Sequence, residues 1–450
     1  MPIVFSNSGA AFGMSNFYTF DTPIPDPDIT IPDNYCFVYN ATLPLSGNRY
    51  APTPMITGYN VSVDWGDGTI ENDVTTPPLL HQYTDDKEKH TIVISGTVDS
   101  LSSMVYPEKN SIEILKPFKN INTVNLYSNS FAKTSYVPND LFINYPDITN
   151  LSGAFQDQSS DNVPIYISEN VFSYLPNLKN ISQCFNRRKL SNRITNKWFE
   201  SNMELTDCSS VFVLSNVTVV PSDLFKNNRK VTSYSNIFQY SEVETVGDSV
   251  FWSDVTEFNP DEYIKYVNAA GAFSFCINLR TVGKNLFNFE GPCNCDSAFS
   301  RCTNLKNIDV STFYNCSHLL SVTQCFAYSG LSSIPKGLFK NNNECVKFDY
   351  TFMNTNIKQI DQDPFDGLMG TDPIDFSGCF SNNGNLKSIT NIFATLDTTV
   401  AHNFTNCFSD NIQLEHCPEL WTRFPNAIGT ECFKGCTNAD NYADVPAGWK

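Results

Sequence analysis

Positive charge and histidine are scarce in this chain. Its 450 residues hold 29 Lys and Arg against 47 Asp and Glu, a formal net charge of −18, and only five His. A protein that grips a nucleic-acid backbone needs a basic footprint, so no nucleic-acid partner is expected. No stretch reaches the roughly 18 apolar residues of a membrane span, which excludes membrane insertion by a helix. The first residues, MPIVFSNSGAAFGMSNFYTFDTPIPDPDITIP, lack the basic and continuous apolar regions of a secretory signal. The expectation is a protein made and kept in a cytoplasm, or one that leaves by a route other than secretion. Catalytic signatures are missing as well. His81, His90, His318, His402 and His416 stand outside any H-E-x-x-H or nucleophile motif, and neither a P-loop nor a dinucleotide fingerprint is present. The paired acids Asp85-Asp86 fall on an expected turn. No enzymatic activity, no cofactor and no metal are expected.

What the chain has in abundance is phenylalanine, 35 residues of it, in two interleaved series. One runs Phe142, Phe172, Phe199, Phe225, Phe251, Phe287, Phe313, Phe339, Phe365, Phe393 and then Trp421. The other runs Phe131, Phe155, Phe185, Phe212, Phe238, Phe273, Phe299, Phe326, Phe352, Phe380, Phe408 and Phe433. The step within each is mostly 26 to 28 residues, and the offset from the second series to the first is 13 or 14 in nine of eleven cases. A unit this short, with few apolar side chains, cannot bury its own face; stacked on copies of itself it can. The period and the Asn- and Pro-containing turns predict a solenoid of about 11 coils over residues 111–440, roughly 50 Å long at strand spacing. The offset between Phe251 and Phe273 is longer, 22 residues, and carries VTEFNPDEYIKYVNAAG, read as a short helix entered at Asn259-Pro260. An insertion bulges from one face of a solenoid, either to bind or to pack. Asp261, Glu262, Tyr263 and Tyr266 are therefore the candidate binding residues.

Fifteen cysteines, an odd number, suit a disulfide framework only in a small secreted domain. Here nine of them follow the repeat. Cys184, Cys325, Cys379, Cys407 and Cys432 each precede a second-series Phe, and Cys276, Cys302, Cys316 and Cys436 each follow an aromatic by three. They read as small buried hydrophobes in the ladder. Cys293-x-Cys295 has no second pair or nearby His to make it a zinc site.

Ahead of the repeats stands YNVSVDWGDGTIENDV, then HQYTDDKEKHTIVISGTV. Val61 and Val63 alternate into Gly66-Asp67-Gly68, a strand entering a tight hairpin, and Thr91 to Val98 reads as a second strand. The pattern predicts a small β-sandwich over residues 35–110. Residues 1–34 form an extended, proline-rich arm, either a tail or a docking peptide, with Phe5, Phe12, Phe17, Tyr18 and Phe20 as its candidate anchors. Residues 441–450 are a C-terminal tail. The fold class expected is mostly β.

VDWGDGT with HQY and HTIVISG resembles the PKD (polycystic-kidney-disease) domain, an immunoglobulin-like sandwich. The array, with its IP-x-x-LF element, resembles the BspA-like leucine-rich repeats of gut-bacterial surface proteins and of phages that infect such bacteria. The order of module, linking strand (SIEILKPF) and repeats matches as well, over residues 58 to 436. In the resembled module the GDG turn is mainly structural; the other reading of Asp64 and Asp67 is a calcium pair. The resemblance implies a virion structural and recognition component, a head or tail fibre, assembled in host cytoplasm. Its partners would be other virion subunits, a second copy of the chain, or a host-surface protein or glycan. The alternatives are a bacterial cell-surface adhesin and an intracellular protein-binding scaffold.

Overall fold

The computed structural model describes residues 23–44, 47–105, 110–159, 163–257 and 266–450. Strands β1 (Tyr35–Thr42), β2 (Thr53–Asp64), β3 (Ile70–Val74) and β4 (Lys89–Val105) make up the front of the chain. They are followed by β5 (Ser111–Ile114), β6 (Ile121–Val124), β7 (Thr134–Val137) and β8 (Tyr166–Ile167). The alternation at Val61 and Val63 does place both side chains in the core. β2 and β3 form the expected hairpin, with Asp64 opposite Ile70. Gly66 is needed in its turn: its φ is +77°, and a Cβ there would lie 2.4 Å from the Thr91 carbonyl oxygen.

The eight strands join one sheet in the order β3-β2-β4-β1-β5-β7-β8, with β6 alongside β4. That sheet changes character partway. β2, β4, β1 and β5 pair antiparallel, whereas β5–β7, β7–β8 and β4–β6 pair in parallel, as coils do. The front strands thus close the N-terminal end of the solenoid. Val98 and Met104 of β4 donate their N–H groups to the Asn120 and Ser130 carbonyls of the first coil.

From there the chain is a parallel β-solenoid with almost no helix, a single four-residue turn at Leu420–Arg423 being the one α-helical element among the described residues. Each coil contributes a bridge residue five positions before its second-series Phe. Asn150, Asn180, Asp207, Ser233 and Asn268 pair in parallel, each with the next. The side-chain oxygens of Asn150, Asn180 and Asp207 accept the N–H two residues on, an Asx-turn that starts the bend. The bend itself runs through two left-handed residues flanking the Phe. They are Gln183 and Arg187 around Phe185, Asn236 and Tyr240 around Phe238, and Ser297 and Arg301 around Phe299. A left-handed non-glycine residue costs on the order of 1–2 kcal/mol, and hydrogen bonding offsets it. The N–H groups of Gln183, Phe185 and Arg187 reach the carbonyls of Ser209, Val211 and Val213 in the next coil. Those of Cys184, Asn186 and Arg188 close turns within their own coil. Alternate donors thus bind between coils and within them, and none of the six is left unpaired.

The second phenylalanine series forms one unbroken stack. Neighbouring rings from Phe131 to Phe433 lie 4.5 to 5.7 Å apart, within 19° of parallel. Each ring is fully buried, which stabilises by about 1.5–3 kcal/mol, and each stacked pair adds about 0.5–1.5 kcal/mol. The first series stacks the same way from Phe172 to Phe393. Both ends of the long stack are closed. Phe118 covers Phe131 at one end. At the other, Trp449 lies over Phe433 and its carbonyl accepts the Phe433 N–H. The residues read as a C-terminal tail act as a cap, which solenoids require.

Candidate binding surface

The fifteen cysteines are free and buried. Those three residues after a Phe have a second role that the sequence did not suggest. Cys276, Cys302 and Cys436 point their S–H groups at the carbonyls of Phe238, Phe273 and Phe408, one coil back, at 3.0 to 3.1 Å. Asn383 and Asn411 fill the same position and donate to Phe352 and Phe380. Burial pushes the thiols of Cys276 and Cys417 up to about 12 and that of Cys436 to about 11. A thiol that stays protonated is a poor nucleophile and a poor metal ligand.

The histidines are likewise engaged in structure. His81 stacks on Trp65 and sits 2.7 Å from Asp67. His90 is buried, stacks on Tyr83 at 3.9 Å and lies 3.2 Å from Asp85. The Tyr83 hydroxyl donates to the Trp65 carbonyl. His318 and His416 pair with Glu344 and Asp440. His402 is buried, its Nδ1 taking the Ile374 N–H and its Nε2 lying 3.0 Å from the Asp397 carbonyl. The hairpin uses its own carboxylates: Asp64 accepts the Gly66 N–H, and Asp67 the Thr69 N–H. Burial raises the Asp67 pKa, but the hydrogen bonds from Thr69 and His81 outweigh it and hold the group below the usual range. Among the described residues no three His, Cys, Asp or Glu side chains converge as a metal site.

What the fold offers instead is side-chain columns on its outer surface. From Phe185 onward, the residue two after each second-series Phe has a left-handed backbone and points outward. In four successive coils it is Tyr240, Phe275, Arg301 and Tyr328. Tyr240 stacks on Phe275 at 4.3 Å. The Arg301 guanidinium then lies 5.1 Å from the Phe275 ring centre and 4.4 Å from that of Tyr328. An open groove of about 360 Å³ runs beside this column, lined by Phe275, Ile277, Arg301, Thr303, Tyr328 and Asn354 among others. A second groove, of about 380 Å³, lies where the chain enters the insertion. Its wall holds Trp252, with the Arg229 guanidinium 4.0 Å above the ring and paired to Asp254, and Tyr314.

Of the residues the sequence nominated, Asp261, Glu262 and Tyr263 lie outside the described residues, as does the helix read at Asn259-Pro260. Tyr266 is half-buried where the chain re-enters its coil, beside the Val267–Asn268 strand. The anchors Phe5, Phe12, Phe17, Tyr18 and Phe20 also fall outside. The part of the arm that is described is held by the front sheet: the Ile24 carbonyl accepts from Asn40, and the Asp26 N–H binds the Thr91 hydroxyl. The outward column at Tyr240, Phe275, Arg301 and Tyr328 was missed. Its signal was the fixed spacing of two after each Phe, which alternation alone assigns to the core side.

No family model matches the chain, and neither does any curated protein. Solved structures that are similar include the leucine-rich repeat domain of APL1B, at 13% identity over 65% of this chain and 82% of that one, with a TM-score of 0.26. The LRR ectodomain of the plant receptor kinase GASSHO1/SCHENGEN3 from Arabidopsis thaliana, in complex with CASPARIAN STRIP INTEGRITY FACTOR 2, is 9% identical over 69% of this chain and 52% of that one, TM-score 0.17. The TLR13–ssRNA13 complex gives 10% identity over 69% and 57%, TM-score 0.21. Superpositions this poor carry no argument of their own. The solenoid is established by the chain's own coils, whose period, parallel bridges and stacked rings agree.

Proposed function

We propose that this is a non-enzymatic structural and binding protein of a phage virion surface, held through its N-terminal segment and presenting the solenoid to a host surface or to neighbouring subunits. One observation carries the reading. The interior is a capped stack of phenylalanines, and the exterior carries an outward side-chain column with open grooves beside it. Such a rod is suited to contact over length. Fifteen free, buried thiols suit a protein that folds and assembles in a reducing cytoplasm. The PKD-like hairpin and the BspA-like coil order give the reading its virion context.

The test compares native mass and particle incorporation of the full chain with a form lacking residues 1–22. That deletion spares Ile24 and Asp26, which bind the front sheet. The expected result is a defined oligomer or particle-bound form that depends on those residues. A monomer in both forms, absent from any particle, would overturn the virion reading and favour an adhesin-like rod.

A further inference from the structure

Four of the eight arginines have their charge answered by an ion pair. Arg49, Arg188, Arg229 and Arg280 each face a carboxylate. Arg301 does not: it takes part in none of the ion pairs found among the described residues, and its side chain is exposed. Its guanidinium carbon lies instead over two rings, Phe275 of the preceding coil at 5.1 Å and Tyr328 of the following one at 4.4 Å. The two rings restrict where this exposed cation can sit, and its guanidinium N–H groups make no hydrogen bond among the described residues, so they are available to a ligand. Lys306 adds a second cation without a carboxylate among the described residues; its Nζ donates to the Thr303 carbonyl on the groove wall at 3.4 Å.

We propose that the groove beside Arg301 binds a saccharide bearing an oxyanion, a uronate carboxylate or a sulfate, with Arg301 as the bidentate donor. The assignment rests on the binding role argued above and names the ligand class for one face of the solenoid. The guanidinium fork matches two oxygens of a carboxylate or sulfate, at about 2.7–2.9 Å in such pairs. The rest of the groove suits a hydroxyl-rich partner. Asn354 and Asn356 supply amides, Thr303 and Tyr328 hydroxyls, while Phe275 and Ile277 supply apolar edge for the C–H faces of a sugar ring. An acidic peptide would bring several carboxylates to a chain whose net charge is −18. An acidic sugar sets several hydroxyls around each of its anions, and these match the amides and hydroxyls of the groove.

The probes are tetragalacturonate, its methyl ester, a sulfated galactan tetrasaccharide and tetraglutamate, titrated calorimetrically against the full chain at 0.15 M salt, where the Debye length is about 8 Å. Tetragalacturonate or the sulfated probe should bind at least tenfold more tightly than the methyl ester. Arg301→Gln should weaken that binding by tenfold or more, equivalent to about 1.4 kcal/mol, and Arg301→Lys should fall between, since it keeps the charge but loses the fork and the stacking. Both variants change an exposed side chain, and a matching urea midpoint confirms that each is folded. A carboxylate preference without a sulfate one assigns uronates, and the reverse assigns sulfated sugars. Equal binding of charged and esterified probes, an Arg301→Gln variant that binds like the parent, or a preference for tetraglutamate would each overturn the proposal. So would the absence of binding to all four, which leaves the virion reading to its own assembly test.

Discussion

Phe299→Ala tests the physical basis of the solenoid most directly. Phe299 is fully buried, with Phe273 stacked on one face at 5.6 Å and Phe326 on the other at 5.3 Å, and the Phe287 ring edge-on at 6.3 Å. Removing a buried phenylalanine ring costs about 3–5 kcal/mol, the higher end applying where the cavity cannot collapse. Here collapse is opposed by hydrogen bonds on both sides. The Phe273 N–H is held by the Ala298 carbonyl and the Phe299 N–H by that of Cys325, each at 2.8 Å. About 4 kcal/mol is therefore expected. Because each coil touches only its neighbours, the loss should stay local. Hydrogen exchange read by mass spectrometry should quicken by up to about a thousandfold between residues 273 and 326. Peptides around Phe185 should be unchanged, and urea unfolding should broaden or split. Phe299→Leu, which keeps most of the volume, should cost roughly a third as much. A cost under 1 kcal/mol, or an effect spread evenly along the chain, would refute the account of the core as a ladder of independent rungs.

Other consequences follow from single contacts. Native protein should react with almost none of its thiols and denatured, unreduced protein with all fifteen; blocked thiols before reduction would contradict the free, buried cysteines. Arg188 is fully buried, 3.1 Å from the equally buried Asp157, and also donates to the Ala132 and Thr134 carbonyls. Arg188→Met should cost about 3–5 kcal/mol by leaving a buried carboxylate without its cation, and adding Asp157→Asn should recover part of it, measured by urea unfolding. His402 has its pKa lowered by burial, so below its unfolded value near 6.5 the unfolded chain binds the extra proton and the native chain does not. Stability from this group is full above pH 6.5 and is lost as pH falls toward its folded pKa, by up to about 1.4 kcal/mol per pH unit. His402→Gln should flatten the urea midpoint between pH 6.5 and 5, and an unchanged slope would mean the imidazole is not held neutral.

Much of this molecule can be read in one dimension. The Val61 and Val63 alternation, the Gly66-Asp67-Gly68 turn, the two phenylalanine series and the cysteine positions are local or periodic features, and a regular period leaves stacking as the only way to bury so small a unit. The burial of every ladder cysteine follows from the same repeat. What the chain could not reveal depends on contacts between residues far apart. Whether β5 pairs with β1 or with the coils cannot be read from SIEI, and in fact it pairs with both. That Trp449 closes the stack is decided by its distance to Phe433, not by its place in a short C-terminal tail. The left-handed residues around the phenylalanines from Phe185 onward are stabilised by hydrogen bonds to the neighbouring coil, so no local propensity announces them. Those residues in turn aim Tyr240, Phe275, Arg301 and Tyr328 outward and bring four coils' side chains into one surface stack. Sequence alone determined the repeat, because its physics is local burial repeated at a fixed interval. Tertiary structure decided the caps, the continuous sheet and the exposed cation, because each is a relation between coils that no single coil contains.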